Sequence, residues 1–255
     1  MKRDETKFER YTSEEILQIL IDLYNCQVYF DVEVDAGHKL TFQTTIREWR
    51  DVCNQIKPIP LAKSYHAEYN IKADMSELIN ILSNEDNTLE VFCNYIAENS
   101  IKPTIIPIVS LGSVCLEAAI FKTLKSELEK KCVDTTDFKP STNFAGFFLK
   151  YTDEVFRVVS KLSPGTLTYY KYEPTILGKI SAALLLLSII TPIVMVVFYH
   201  LTWHLIPLFV LTIIIMLISN KLEPPNKYDI SGYHTIGDLI KGMKKNMQIN
   251  SPCSS

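Results

Sequence analysis

The sequence predicts an α+β domain with a small, mainly antiparallel sheet, followed by a C-terminal transmembrane helical hairpin. Three observations carry that expectation. Between Gln27 and Ile46 apolar and polar residues alternate with period two around the turn Asp35-Ala36-Gly37-His38, the pattern of a half-buried strand pair. Several other stretches place apolar residues three and four apart behind Ser, Thr or Asp caps, the pattern of amphipathic helices. Ile180 to Ser219 holds two apolar runs without a charged side chain, and a bilayer core takes about 20 such residues per helix.

Taken in order, Met1 to Tyr11 is charged and reads as a frayed end. Thr12 or Ser13 caps a helix with Glu14 and Glu15 in its first turn, where carboxylates suit the helix dipole, and Ile16, Leu17, Leu20, Ile21 and Leu23 make its apolar face up to Cys26. In the strand pair, Val28, Phe30, Val32 and Val34 alternate with Tyr29, Asp31, Glu33 and Asp35, then Leu40, Phe42 and Ile46 with Lys39, Thr41 and Gln43. Asp31, Glu33 and Asp35 share a wet face, either as a cation site or as a solvated face opposite Lys39. Arg47 to Ile56 reads as a short helix stopped by Lys57-Pro58-Ile59-Pro60, and Ser64 to Ile71 as a third strand. Asp74 caps a helix through Leu82, and a second helix runs from Thr88 to Asn99. Lys102 to Ser110 reads as a fourth strand, with Pro107 placing it at an edge or bulge. Val114 to Lys131 and Phe144 to Leu162 read as helices, the latter stopped by Ser163-Pro164-Gly165. Thr235 caps a last helix whose stripe is Ile236, Leu239, Ile240, Met243 and Met247; with Lys241, Lys244 and Lys245 elsewhere on it, this helix suits a bilayer surface or the flank of the preceding domain. No internal repeat is evident in the residues.

The expected hairpin consists of Ile180 to Tyr199 and Leu205 to Ser219, with Trp203 in the break and Pro192 and Pro207 inside the runs. Its prolines read as kinks in an anchor, or as points at which the hairpin repacks. Lysines lie only on its outer flanks (Lys171, Lys179, Lys221, Lys227), which predicts both termini on the cytoplasmic side of a bacterial inner membrane. The chain then divides into a cytoplasmic domain over 1–172, the hairpin over 173–221 and a linker with the basic tail helix over 222–255.

Charge and motifs exclude more than they assign. Met1 to Tyr172 carries 20 Lys and Arg against 25 Asp and Glu, so an acidic domain with no direct nucleic-acid binding is expected. The six cysteines (Cys26, Cys53, Cys93, Cys115, Cys132, Cys253) have neither zinc-knuckle nor redox spacing, and no metal or cofactor is expected. Two places could hold a ligand. His66 lies in mid-domain, where Cys93 or Ser113 would complete a nucleophile–base pair; a structural histidine is the alternative. Leu111-Gly112-Ser113 precedes a long helix, so Gly112 and Ser113 would present a helix N-terminus to an anion; plain capping by Ser113 is the alternative.

In the order of its parts, an acidic domain before Ile180 to Ser219, the chain resembles the two-transmembrane effectors of bacterial antiphage systems, retron-linked and cyclic-nucleotide-linked. That resemblance implies a cytoplasmic domain that senses a partner or ligand and a hairpin that perturbs the membrane in antiviral defence. A protein partner, the lipid bilayer and self-association are the contacts it implies. An anchored scaffold and a membrane-bound enzyme are the alternative expectations.

Overall fold

The computed structural model describes residues 9–250 apart from 32, 55–56, 111–112, 177–178 and, between 181 and 225, all but 183, 186 and 190. The chain divides into two compact units, one of Met1–Tyr170 with Ile230–Ser255, the other Lys171–Asp229.

The first unit is helical, which corrects the α+β expectation. Helix α1 (Ser13–Phe30) opens on a reciprocal cap: the Thr12 hydroxyl accepts from the Glu15 amide and the Glu15 carboxylate accepts from the Thr12 amide. It runs through Gln27 to Phe30, where a strand was expected. Once a helix is nucleated, each added residue gains a backbone bond at little further cost. The Asp31 amide still reaches the Gln27 carbonyl at 2.7 Å. After α2 (Ile46–Val52) comes α3 (Pro58–Glu68), over residues expected to stop one helix and start a strand. Pro58 and Pro60 begin α3 because the first turn of a helix leaves its amides unbonded anyway, so a missing N–H costs nothing there. Helix α4 (Met75–Ser83) follows as the cap Asp74 predicts, and α5 (Leu89–Asn99) covers the helix expected from Thr88 to Asn99. Of the fourth expected strand only β1 (Ile108–Ser110) forms, paired antiparallel with β2 (Ser113–Cys115). Helix α6 (Leu116–Lys130) comes next; the single helix expected over Phe144 to Leu162 is two, α7 (Phe144–Lys150) and α8 (Thr152–Leu162), broken at Tyr151. Strands β3 (Tyr170–Pro174) and β4 (Asn226–Ile230) pair with each other, and α9 (Ile236–Asn250) ends the described chain.

Two cores fill this unit. The first gathers α1 to α5 around Trp49, Phe92, Leu78 and Leu89. The second gathers α6 to α9 around Ile120, Phe144, Phe148, Val159 and Met243, with Cys26 of α1. The stripe of α9 therefore packs on the helical unit.

The cores repeat one device that residue identities conceal. In the first, Thr45 bridges antiparallel to Thr88, with Ile46 N to Asn87 O at 2.7 Å and Leu89 N to Thr44 O at 2.8 Å. In the second, Asn143 bridges to Thr235, with Phe144 N to His234 O and Ile236 N to Thr142 O, both 3.0 Å. Each bridge residue sits just before a helix, and the residue after it (Ile46, Leu89, Phe144, Ile236) is fully buried. Two helix starts are thus clasped loop to loop, twice. The caps differ in strength. Thr45 and Thr235 each close a reciprocal cap, with Glu48 and Asp238, while Thr88 makes no side-chain cap bond. Replacing Thr45 or Thr235 by Ala is therefore expected to cost about 1 kcal/mol each in urea unfolding, additively because they serve different cores, and Thr88→Ala well under that.

A polar knot ties α1 to both ends of the second core. Buried Asp22 accepts from the Gly165 amide at 2.7 Å and from Gln18 Nε2 at 2.8 Å. Gly165 has φ +81°, with Gln18 packed where a Cβ would point, so the turn after α8 suits glycine alone. From α9, Asn246 Nδ2 donates to the Pro164 carbonyl at 2.5 Å.

In the second unit the described residues are the paired strands beyond Tyr170 and helical positions from Ile176 onward; Ile176, Ile180, Leu186 and Ile190 are exposed. The expected transmembrane hairpin and integral inner-membrane placement are corrected here: among the described residues no helix is long and apolar enough to cross a membrane. A span takes about 20 consecutive apolar residues in one helix. Among the described residues the longest helix, α1, has 18 residues and carries Glu14, Glu15 and Asp22. Of the positions expected to span, Ile180 is described as a half-exposed helical residue. Pro192, Tyr199, Trp203, Pro207 and Ser219 lie outside the described residues.

Candidate functional site

The sequence-expected sites do not assemble. His66 lies on α3, and its ring Nε2 meets the Ala73 carbonyl at 2.9 Å, joining α3 to the approach of α4. Cys93 is buried on α5, and burial pushes its thiol above the ordinary range. Ser113 lies in β2 opposite Ser110, and the residue that caps α6 is Cys115; Gly112 lies outside the described residues. Asp31 and Asp35 each cap a local turn, bonding the amides of Glu33 (2.9 Å) and Gly37 (3.0 Å), while Glu33 accepts from Asn54 Nδ2. Among the described residues no three His, Cys, Asp or Glu side chains converge as a metal site would require.

The structure instead opens a cleft of about 330 Å³ where α1, α3 and α8 meet, at the seam between the two cores. Helix α1 contributes Leu23, Cys26, Gln27 and Phe30; α3 contributes Leu61, Ser64, Tyr65 and Glu68; α8 contributes Thr152, Asp153, Phe156 and Arg157. It continues past Gln27, Asp31, Leu61 and Ser64 into a shallower hollow of about 590 Å³ that reaches Lys57 and Asn54. The walls are mostly apolar, as in small-molecule sites.

Glu68, Asp153 and Arg157 in its wall are each ion-paired. Glu68 faces Lys161 Nζ at 2.6 Å, Lys131 Nζ at 3.4 Å and Arg157 Nη1 at 3.8 Å. Lys161 also donates to the Glu68 carbonyl and lies 4.8 Å over the Tyr69 ring. Burial pushes the Glu68 carboxyl up, but Lys161 and the other two cations outweigh it and hold the pKa below the ordinary value. For Lys161 burial wins, and its ammonium is depressed despite the help of Glu68. Arg157 Nε bonds both oxygens of Asp153 at 2.8 Å.

Two wall groups stay unsatisfied. Gln27 Oε1 and the Tyr65 hydroxyl are closed to water and have no hydrogen-bond partner among the described residues. Such a group costs about 1–3 kcal/mol. Tyr65 is 9% exposed, and its hydroxyl lies near enough to Arg157 and Glu68 to feel their charge. Burial pushes the Cys26 thiol up to about 12, so it stays protonated at neutral pH. The cleft escapes sequence reasoning because its walls come from positions 23 to 157 and follow no motif; the tyrosines and Glu68 were assigned to a strand.

No family model, curated protein or solved structure matches the chain.

Proposed function

We propose that the helical unit is a sensing module that binds a small, largely apolar molecule carrying a hydrogen-bonding group in the cleft between α1, α3 and α8. The observation that carries this reading is the pair of unsatisfied wall atoms, Gln27 Oε1 and the Tyr65 hydroxyl, beside an apolar hollow of ligand size. A bound hydroxyl that wedges between α1 and α3 donates to Gln27 Oε1 and accepts from Tyr65, removing the cost of leaving them unpaired. Binding without chemical conversion is supported by the state of the reactive groups. The Cys26 thiol is protonated, and Glu68, Arg157 and Asp153 are engaged with one another. This reading keeps the sensing role expected from the sequence and no longer needs a bilayer.

The test uses 2-naphthol, an apolar bicycle with one hydroxyl, titrated calorimetrically into the full chain. One-to-one binding of the order of 0.1 mM is expected, as befits so small a ligand. Ser64 is exposed on the cleft rim, so Ser64→Trp fills the cleft from α3 without burdening a core, and should abolish that binding. Undiminished affinity in Ser64→Trp would place the ligand elsewhere and overturn the reading.

A further inference from the structure

The cleft shares a wall with the point at which the chain leaves the helical unit. Phe30 lines the cleft and is 45% exposed to it and to solvent. Its ring meets Tyr170, the first residue of β3, edge-on at 6.0 Å, and stacks with Phe148 at 6.4 Å. Tyr29 and Phe148 flank Tyr170 at 5.9 and 5.8 Å. Tyr170 is not itself among the cleft residues. Among the described residues its hydroxyl, buried, has no hydrogen-bond partner. Ring packing thus holds Tyr170 in place while its hydroxyl opposes burial. Next to it the chain re-enters the unit: Ser231 N donates to the Tyr169 carbonyl at 2.9 Å.

We infer that ligand in the cleft and the docking of Tyr170 are thermodynamically coupled through Phe30. This rests on the cleft reading above. A ligand against the cleft side of Phe30 fixes the ring on which Tyr170 packs, so occupancy tightens the docking of Tyr170 within the helical unit. Linkage makes the effect reciprocal: whatever factor the ligand adds to docking, docking adds to ligand affinity. A sensing site so placed reports its occupancy at the exit of the unit.

The experiment measures 2-naphthol affinity and amide exchange of Ser231 in the full chain, in Tyr170→Ala and in Tyr170→Phe. Saturating 2-naphthol should slow Ser231 exchange at least about fivefold in the wild-type chain, and Tyr170→Ala should weaken 2-naphthol by a similar factor. Tyr170→Phe keeps the ring and drops the poorly satisfied hydroxyl, so it should bind at least as tightly as wild type and exchange no faster. Unchanged affinity in Tyr170→Ala, with binding still lost in Ser64→Trp, would overturn the coupling and leave the cleft reading standing. Loss in Tyr170→Phe as large as in Tyr170→Ala would also overturn it, since the ring alone would then not carry the effect. Binding that survives Ser64→Trp would defeat the cleft reading itself.

Discussion

Asp22→Asn should raise stability at pH 8 by several kcal/mol and leave it nearly unchanged at pH 4. Asp22 is fully buried in the knot of α1, the turn after α8 and α9. Burial lifts its carboxyl from 3.8 to about 7, although Gln18 and the Gly165 amide both favour the charged form. Between those values the unfolded chain releases this proton and the folded chain keeps it. The unfolded state then binds fewer protons, so stability falls as pH rises from about 4 to 7. A shift of about three units corresponds to at most ~4 kcal/mol. Asparagine is never charged. Its oxygen still accepts from the Gly165 amide, and the Gln18 amide can turn to accept from its NH2. Urea midpoints of both chains from pH 4 to 8 read the difference directly, other titrating groups being common to both. A gain independent of pH would show that folding leaves the Asp22 pKa unshifted, and a loss at pH 8 would show that the knot needs the anion.

Helices announced by a polar cap and an apolar stripe were legible in the sequence. Thr12 and Asp74 mark the starts of α1 and α4 within a residue, because caps act locally. The misread segments were those where local pattern and tertiary context disagree. Val28 and Phe30 alternate like a strand, yet they continue a helix already formed upstream, with Val28 against the first core and the Phe30 ring against Phe148 and Tyr170. Pro58 and Pro60 are breakers in mid-helix but neutral in a first turn, and the sequence does not say which applies. The doubled loop clasp was hidden because only its geometry repeats: Ile, Leu, Phe and Ile fill the buried position, behind Thr, Thr, Asn and Thr. The cleft was hidden for a different reason. Gln27, Tyr65 and Arg157 are each unremarkable on their own helix, and what matters is that Gln27 and Tyr65 line one cleft, each with an unpaired atom.

Glu68→Gln should be more damaging than removing any one of the cations around it, costing about 3–5 kcal/mol in urea unfolding at pH 7. The Glu68 and Lys161 side chains are each 15% exposed and tie α3 of the first core to α8 of the second. Glutamine leaves Lys161 with its charge buried, depressed by desolvation and stripped of the carboxylate that offset it. Lys161→Met should cost less, because Glu68 retains Lys131 at 3.4 Å and Arg157 at 3.8 Å. The double variant Glu68→Gln/Lys161→Met should recover much of the loss, since no unpaired buried ammonium remains and a methionine stem fills the lysine's path over Tyr69. A double-mutant cycle with simply additive losses would mean the two charges do not depend on each other. The pH dependence has the opposite sign to that of Asp22. The cations hold the Glu68 pKa below its unfolded value, so its stabilisation is complete above that value and is lost as pH falls through the folded one. The seam is therefore weakened by acid at Glu68 and by base at Asp22, and the cleft along it should be most firmly closed at mildly acidic pH, where both groups are in the state their surroundings favour.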